Sequence, residues 1–200
     1  LLLFLIQPLL GKYILPWFGG TPAVWTTCML FFQILLLGGY SYAHFLVSRF
    51  TPKRQALIHA LILVASLATL PILPSTFWKP NGSDWPVLQI LGLLGICAGV
   101  PYMLLASASP LLQSWFSWSR PGVSPYRLYS LSNVGSLLAI VSYPFLIEPA
   151  FSLARQARLW SWAYAAFTII CGICSWEVWR TGRRQAFAFE KAIPPEVSAA

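Results

Sequence analysis

The sequence predicts an all-α fold, a polytopic membrane helix bundle of about six transmembrane helices. Three observations carry this reading. No Asp, Glu, Lys or Arg occurs in residues 13–48, 55–78, 85–119, 128–147 or 159–176. A spanning helix needs roughly 20 apolar residues to cross about 30 Å of hydrocarbon. Charged residues make up 9% of the chain, against about 25% in a soluble domain. The apolar runs are also continuous: Leu30–Gly39, Ala60–Leu73, Val87–Val100 and Leu137–Ile147. A closed β-barrel, the rival way to satisfy backbone groups in lipid, needs alternating segments of about 10 residues.

The elements follow in order. Helix 1 covers Leu1–Leu15 and opens on Leu-Leu-Leu-Phe-Leu-Ile. It lacks the basic n-region and small-residue cleavage site of a signal peptide, and reads as a helix already under way. A Gly- and Pro-rich loop, Pro16–Pro22, leads to helix 2, Ala23–Val47. The basic turn Thr51-Pro52-Lys53-Arg54 leads to helix 3, Gln55–Leu73. Pro74–Pro86 is a polar loop carrying the glycosylation sequon Asn81-Gly82-Ser83. Helix 4 starts at Val87, and its charge-free run is too long for one straight span. Pro101 is expected to kink it, and Pro110 to open an interfacial extension ending at Trp118. Helix 5 covers Tyr126–Ile147 and helix 6 Leu159–Trp179. Residues 1–179 thus form the bundle, and 180–200 read as a flexible cytoplasmic tail.

The net charge of +8 raises the question of nucleic acid. The basic residues answer it, because they sit in short clusters between apolar runs, which is the positive-inside pattern. With both termini in the cytoplasm, nine of the 13 basic residues fall inside: Arg49, Lys53, Arg54, Arg120, Arg127, Arg180, Arg183, Arg184 and Lys191. Lys12, Lys79, Arg155 and Arg158 fall outside. Tryptophans, which prefer the interfaces, give the same frame. Trp17, Trp25, Trp78, Trp85 and Trp160 mark the outer boundary; Trp115, Trp118, Trp176 and Trp179 mark the inner one. No nucleic-acid partner is expected.

Lys12 and Glu148 are the most informative charges. Each lies near the outer end of an apolar helix in a similar frame, Leu5-Ile6-Gln7-Pro8 and Leu146-Ile147-Glu148-Pro149. Ionisable groups at membrane depth usually face the bundle interior and pair; snorkelling to the interface is the structural alternative. The two are expected to approach each other between helices 1 and 5. Gln7, Gln33 and Asn133 complete the candidate intramembrane polar set, with His44, His59 and Gln113 beside them. A polar path for a cation and plain interhelical hydrogen bonds, near 0.6 kcal/mol each, are the two readings of these groups. Glycines and serines in stripes (Gly38, Gly39, Ser41, Ala43; Gly92, Gly95, Gly99; Ser132, Gly135, Ser136) suggest close helix contacts.

Catalytic and metal motifs are absent. There is no Gly-rich phosphate loop, no GxGxxG and no HExxH. Only five acidic residues occur, so paired catalytic carboxylates are not expected. Cys171 and Cys174 form a CxxC with no third ligand nearby, which within lipid reads as apolar packing. No catalytic residue, metal or cofactor is assigned.

Specific segments carry a resemblance. They are Ile6-Gln7-Pro8, Lys12–Pro16, Gly19–Met29, Phe32-Gln33, Gly39–His44, Ser109–Phe116, Pro125–Leu138 and Tyr143–Pro149. They resemble the N-terminal membrane region of bacterial fused major facilitator/spermidine synthase-like proteins, over residues 1–180. The resemblance implies half of a major facilitator fold in the bacterial cytoplasmic (inner) membrane. It also implies further membrane helices and a soluble spermidine synthase-like domain as partners, beside the lipid bilayer. No residue here matches that domain, so no enzyme activity is expected of this chain alone. The turn Ser48–Arg54 has the Arg and basic pair of the major facilitator turn, with Ser48 in place of its acid and no glycine. The expected function is a non-catalytic, polyamine-related anchoring or transport module. An accessory subunit of a larger membrane complex, or half of a dimeric transporter, is the alternative.

Overall fold

The computed structural model describes residues 1–74, 79, 85–120, 122–124 and 126–192, with 182–192 described by backbone alone. Trp78 and the sequon at Asn81 lie outside the described residues. The described chain is a bundle of six helices, without a strand. These are α1 (Leu2–Phe18), α2 (Pro22–Arg49), α3 (Pro52–Ser66, prolonged by a 3₁₀ turn Leu67–Thr69), α4 (Pro86–Ser119), α5 (Tyr126–Ala150) and α6 (Leu153–Ala192). Four of them, α2, α4, α5 and α6, are long and apolar enough to cross a membrane. The α1 helix is a shorter apolar one, about 26 Å long at 1.5 Å per residue. The protein is a helical membrane protein.

Prolines set several boundaries. Pro22, Pro52 and Pro86 each sit in the first turn of their helix. The missing N–H costs nothing there and the fixed φ suits the helix. Hence α3 starts at Pro52 rather than Gln55. The α1 helix passes through Pro16 into its last turn and stops at Gly19, whose φ of 83° is open to glycine. At its N-terminal end α6 begins at Leu153, drawing Arg155 and Arg158 out of the expected loop. The reason is a buried seam that starts early: Ala157, Ser161, Tyr164, Thr168, Cys171, Ser175 and Val178 recur at alternating steps of four and three. At the other end the α6 backbone stays helical past Arg180 to Ala192.

The α4 helix runs on through Pro101 and Pro110, and it is the hub of the bundle. Its Leu93, Leu94, Ala98, Tyr102, Leu104 and Leu111 are buried. A close contact with α2 lies at Gly39. A Cβ there would fall 2.6 Å from the Ala106 Cβ and 2.7 Å from the Met103 carbonyl oxygen. Three other glycines of the expected stripes behave differently. Gly38, Gly95 and Gly99 have open space where a Cβ would stand. Gly95 and Gly99 instead bound a π turn within α4.

A second π turn, Tyr143–Ile147, lies in α5. Both stand in the same place relative to a proline. A helical proline clashes with the carbonyl four residues earlier. For Pro101 that residue is Cys97, and for Pro149 it is Phe145. Each is the middle residue of its π turn. Widening the turn by one residue moves the carbonyl away from the ring without breaking the helix.

Candidate functional site

One face of α1 carries Phe4, Gln7, Pro8, Gly11, Lys12 and Leu15, at the three-and-four spacing of a helix stripe. This face lines a groove of about 700 Å³ whose other walls come from α2 and α5. The α2 wall is Trp25, Cys28, Met29 and Phe32, and the α5 wall includes Ala139, Tyr143 and Glu148. The walls are apolar and aromatic, and the Trp25 indole lies against Gly11. Few polar groups point in, as in small-molecule sites generally.

Lys12 and Glu148 meet in this groove as an ion pair. Their side chains remain 36% and 42% exposed, so the pair is accessible rather than sealed. The Lys12 ammonium also stands 5.9 Å from the centre of the Tyr143 ring, within cation–π range. The π turn makes this triangle. At 3.6 residues per turn, positions five apart point roughly 140° away from each other. In the π turn the Glu148 N–H bonds the Tyr143 carbonyl, which stacks i over i+5. Glu148 and Tyr143 therefore share a face, and both reach Lys12.

Tyr143 is held from behind. Its hydroxyl donates to Gln156 Oε1 at 3.1 Å, and Gln156 Nε2 donates to the Phe151 carbonyl at 2.8 Å. Tyr143 and Gln156 are both buried. Deeper in the groove, Gln7 Nε2 donates to the Tyr102 hydroxyl at 3.1 Å. The Tyr102 ring tilts on Phe32 at 5.0 Å.

The remaining expected residues go elsewhere. Gln33 and Asn133 are exposed on α2 and α5, away from the pair. Gln113 bonds Ser109 within its own helix at 3.0 Å. His44 is exposed, while His59 is buried 3.4 Å from the Tyr42 hydroxyl. Cys171 is buried in the α6 seam with its thiol free, and no group of metal-ligating side chains exists among the described residues. Trp115 and Trp160 are buried within the bundle. Trp115 Nε1 donates to Gln55 Oε1, and Trp160 Nε1 to the Leu2 carbonyl, each at 3.0 Å.

Among the polar contacts not legible in the sequence are Gln55 with Trp115, Ser66 with Tyr164 at 2.7 Å, and Tyr143 with Gln156. The available signal was the aromatic partner, because a buried Tyr or Trp brings a polar handle that needs a bond.

Comparison with protein-family models, curated proteins and solved structures finds no match for the chain.

Proposed function

We propose that this chain is the non-catalytic membrane module of a spermidine synthase-like membrane protein, forming a solute groove that further helices cover. The observation that carries the proposal is the state of α5. Only 11% of its most apolar stretch is buried, against 56% for that of α4. Its outward residues are not all apolar: Ser130, Ser132 and Asn133 are exposed. Ser136 turns its hydroxyl onto the Ser132 carbonyl at 2.9 Å, but Asn133 has no partner among the described residues. An unpaired amide facing hydrocarbon costs several kcal/mol, whereas against another helix it becomes a hydrogen bond. The α5 face therefore suits a protein neighbour better than lipid.

A polyamine cargo follows from the resemblance and sets a condition on the neighbour. The groove holds a single carboxylate, Glu148, and Lys12 already pairs with it. Polyamine passage then needs carboxylates supplied by the covering helices. The bacterial inner membrane and cytoplasmic termini belong to the same proposal, supported by the distribution of basic residues. An accessory subunit would also cover α5, but it would leave the groove without a role.

Spin labels at Asn133→Cys and Ile170→Cys test the proposal in nanodiscs of the protein purified with its partners. Ile170 is exposed on α6 and should show the high oxygen accessibility of a lipid-facing site. Position 133 should show low oxygen accessibility. Equal values at the two positions would refute the covered face.

A further inference from the structure

We infer that the Glu148 carboxylate and the Tyr143 ring form a binding position for a primary ammonium, which Lys12 occupies as a tethered stand-in. A solute or lipid bearing one ammonium on an apolar body would displace it. The inference deepens the groove reading above by naming the ligand chemistry.

Four observations converge. The first is that Lys12 itself shows what the position accepts. Its ammonium contacts the carboxylate and lies near the ring of Tyr143, the two partners that bind organic cations elsewhere. The second is preorganisation. Tyr143 is anchored by Gln156, and Glu148 is aimed by the π turn ahead of Pro149. Neither needs to move when the cation changes, so little ordering cost falls on binding. The third is that the occupant can leave. More than a third of each side chain is exposed, and half-exposed pairs of this kind are weakly held. The fourth is the surrounding wall of Trp25, Met29 and Phe32, which suits an alkyl or aryl body.

Charge sets the stoichiometry. One carboxylate balances one ammonium. In this chain without its covering helices, a solute with two or more ammonium groups would leave the others in an apolar groove without a partner, which is strongly unfavourable. A carboxylate ligand would have to bind Lys12 while leaving Glu148 unpaired.

The probe is phenethylammonium, with 2-phenylethanol as its neutral counterpart. Binding of radiolabelled probe is measured on the full chain in phosphatidylglycerol nanodiscs. Saturable binding is expected for the amine and not for the alcohol. Lys12→Met removes the competitor and should tighten binding roughly two- to fivefold, the factor for releasing a half-exposed pair. Glu148→Gln should abolish it, and so should the double variant Lys12→Met/Glu148→Gln, whose groove is neutral and keeps no unpaired charge. Size-exclusion profiles identical to the parent establish that the variants fold.

Phosphatidylethanolamine added to the nanodiscs separates the two sources of such an ammonium: displacement of the probe assigns a lipid headgroup, and no displacement assigns a free amine. Weaker binding in Lys12→Met would overturn the inference, as would retained binding in the double variant or tighter binding of spermidine than of the probe. These outcomes are independent of the spin-label test. An amine position can survive if α5 proves to face lipid, and a covered α5 can survive if no amine binds.

Discussion

Two helices of this bundle carry the same backbone device and use it differently. In α4 the π turn Gly95–Gly99 precedes Pro101; in α5 the π turn Tyr143–Ile147 precedes Pro149. In each, the proline stands two residues beyond the turn and displaces the carbonyl at the turn's middle. In α4 the next residue is Tyr102, buried in the core and bonded to Gln7 of α1. In α5 the residue before the proline is Glu148, exposed and paired with Lys12 of α1. The device re-aims a side chain toward α1 in both cases. Burial of the host helix decides whether the result is a packing bond or an accessible charge.

The sharpest way to break this contrast is at the buried helix. Gly39→Leu places atoms where Ala106 and the Met103 carbonyl already stand, so α2 and α4 must separate. A loss of about 3 kcal/mol or more is expected, at the upper end of overpacking costs. Gly38→Leu, which meets open space, should change stability by less than about 0.5 kcal/mol. Unfolding titrations in mixed detergent micelles compare the two, and equal losses would sink the close-contact argument.

A milder probe contrasts the helices directly. Leu104→Ala opens a cavity at a fully buried position of α4 and should cost about 2–5 kcal/mol. Leu137→Ala, at an exposed position of α5, should cost little in the isolated chain. In the assembled protein its cost should rise, because the covering helix then packs on it. A Leu137→Ala penalty that stays the same in both settings argues that lipid, not protein, covers α5.

The α5 device can be removed on its own. Pro149→Ala frees the Phe145 carbonyl and lets the helix return to 3.6 residues per turn. Glu148 then rotates away from Tyr143, and the Lys12–Glu148 coupling should fall toward zero. Solid-state NMR distances between the Lys12 ammonium nitrogen and the Glu148 carboxyl carbon report this. An unchanged short distance means that the proline does not set the turn.

The smallest expected effect is the pair itself. In the chain without its partners, a double-mutant cycle with Lys12→Met and Glu148→Gln should give a favourable coupling of no more than about 1 kcal/mol, since both groups are partly exposed there. Glu148→Gln alone should destabilise, and adding Lys12→Met should restore part of the loss. A coupling of several kcal/mol would mean that the pair is buried by something that covers the groove.

The charge-free runs alone determined the class of this protein, because an apolar stretch of spanning length has few stable alternatives to a helix. They also singled out Lys12 and Glu148. A lone charge on an apolar helix has so few potential partners that their meeting was legible from position along the chain. Other parts were not legible. Gln33 and Asn133 read like Gln7 in the sequence, yet only Gln7 reaches the groove. Gly95 and Gly99 read like Gly39, yet only Gly39 makes a close contact. Which way a helical residue points depends on the rotation of its helix about its own axis. That rotation is set by the π turns and by the neighbours packed against the helix. Local sequence specifies that a helix forms and how deep each residue lies along it; only the assembled bundle decides which residues face one another.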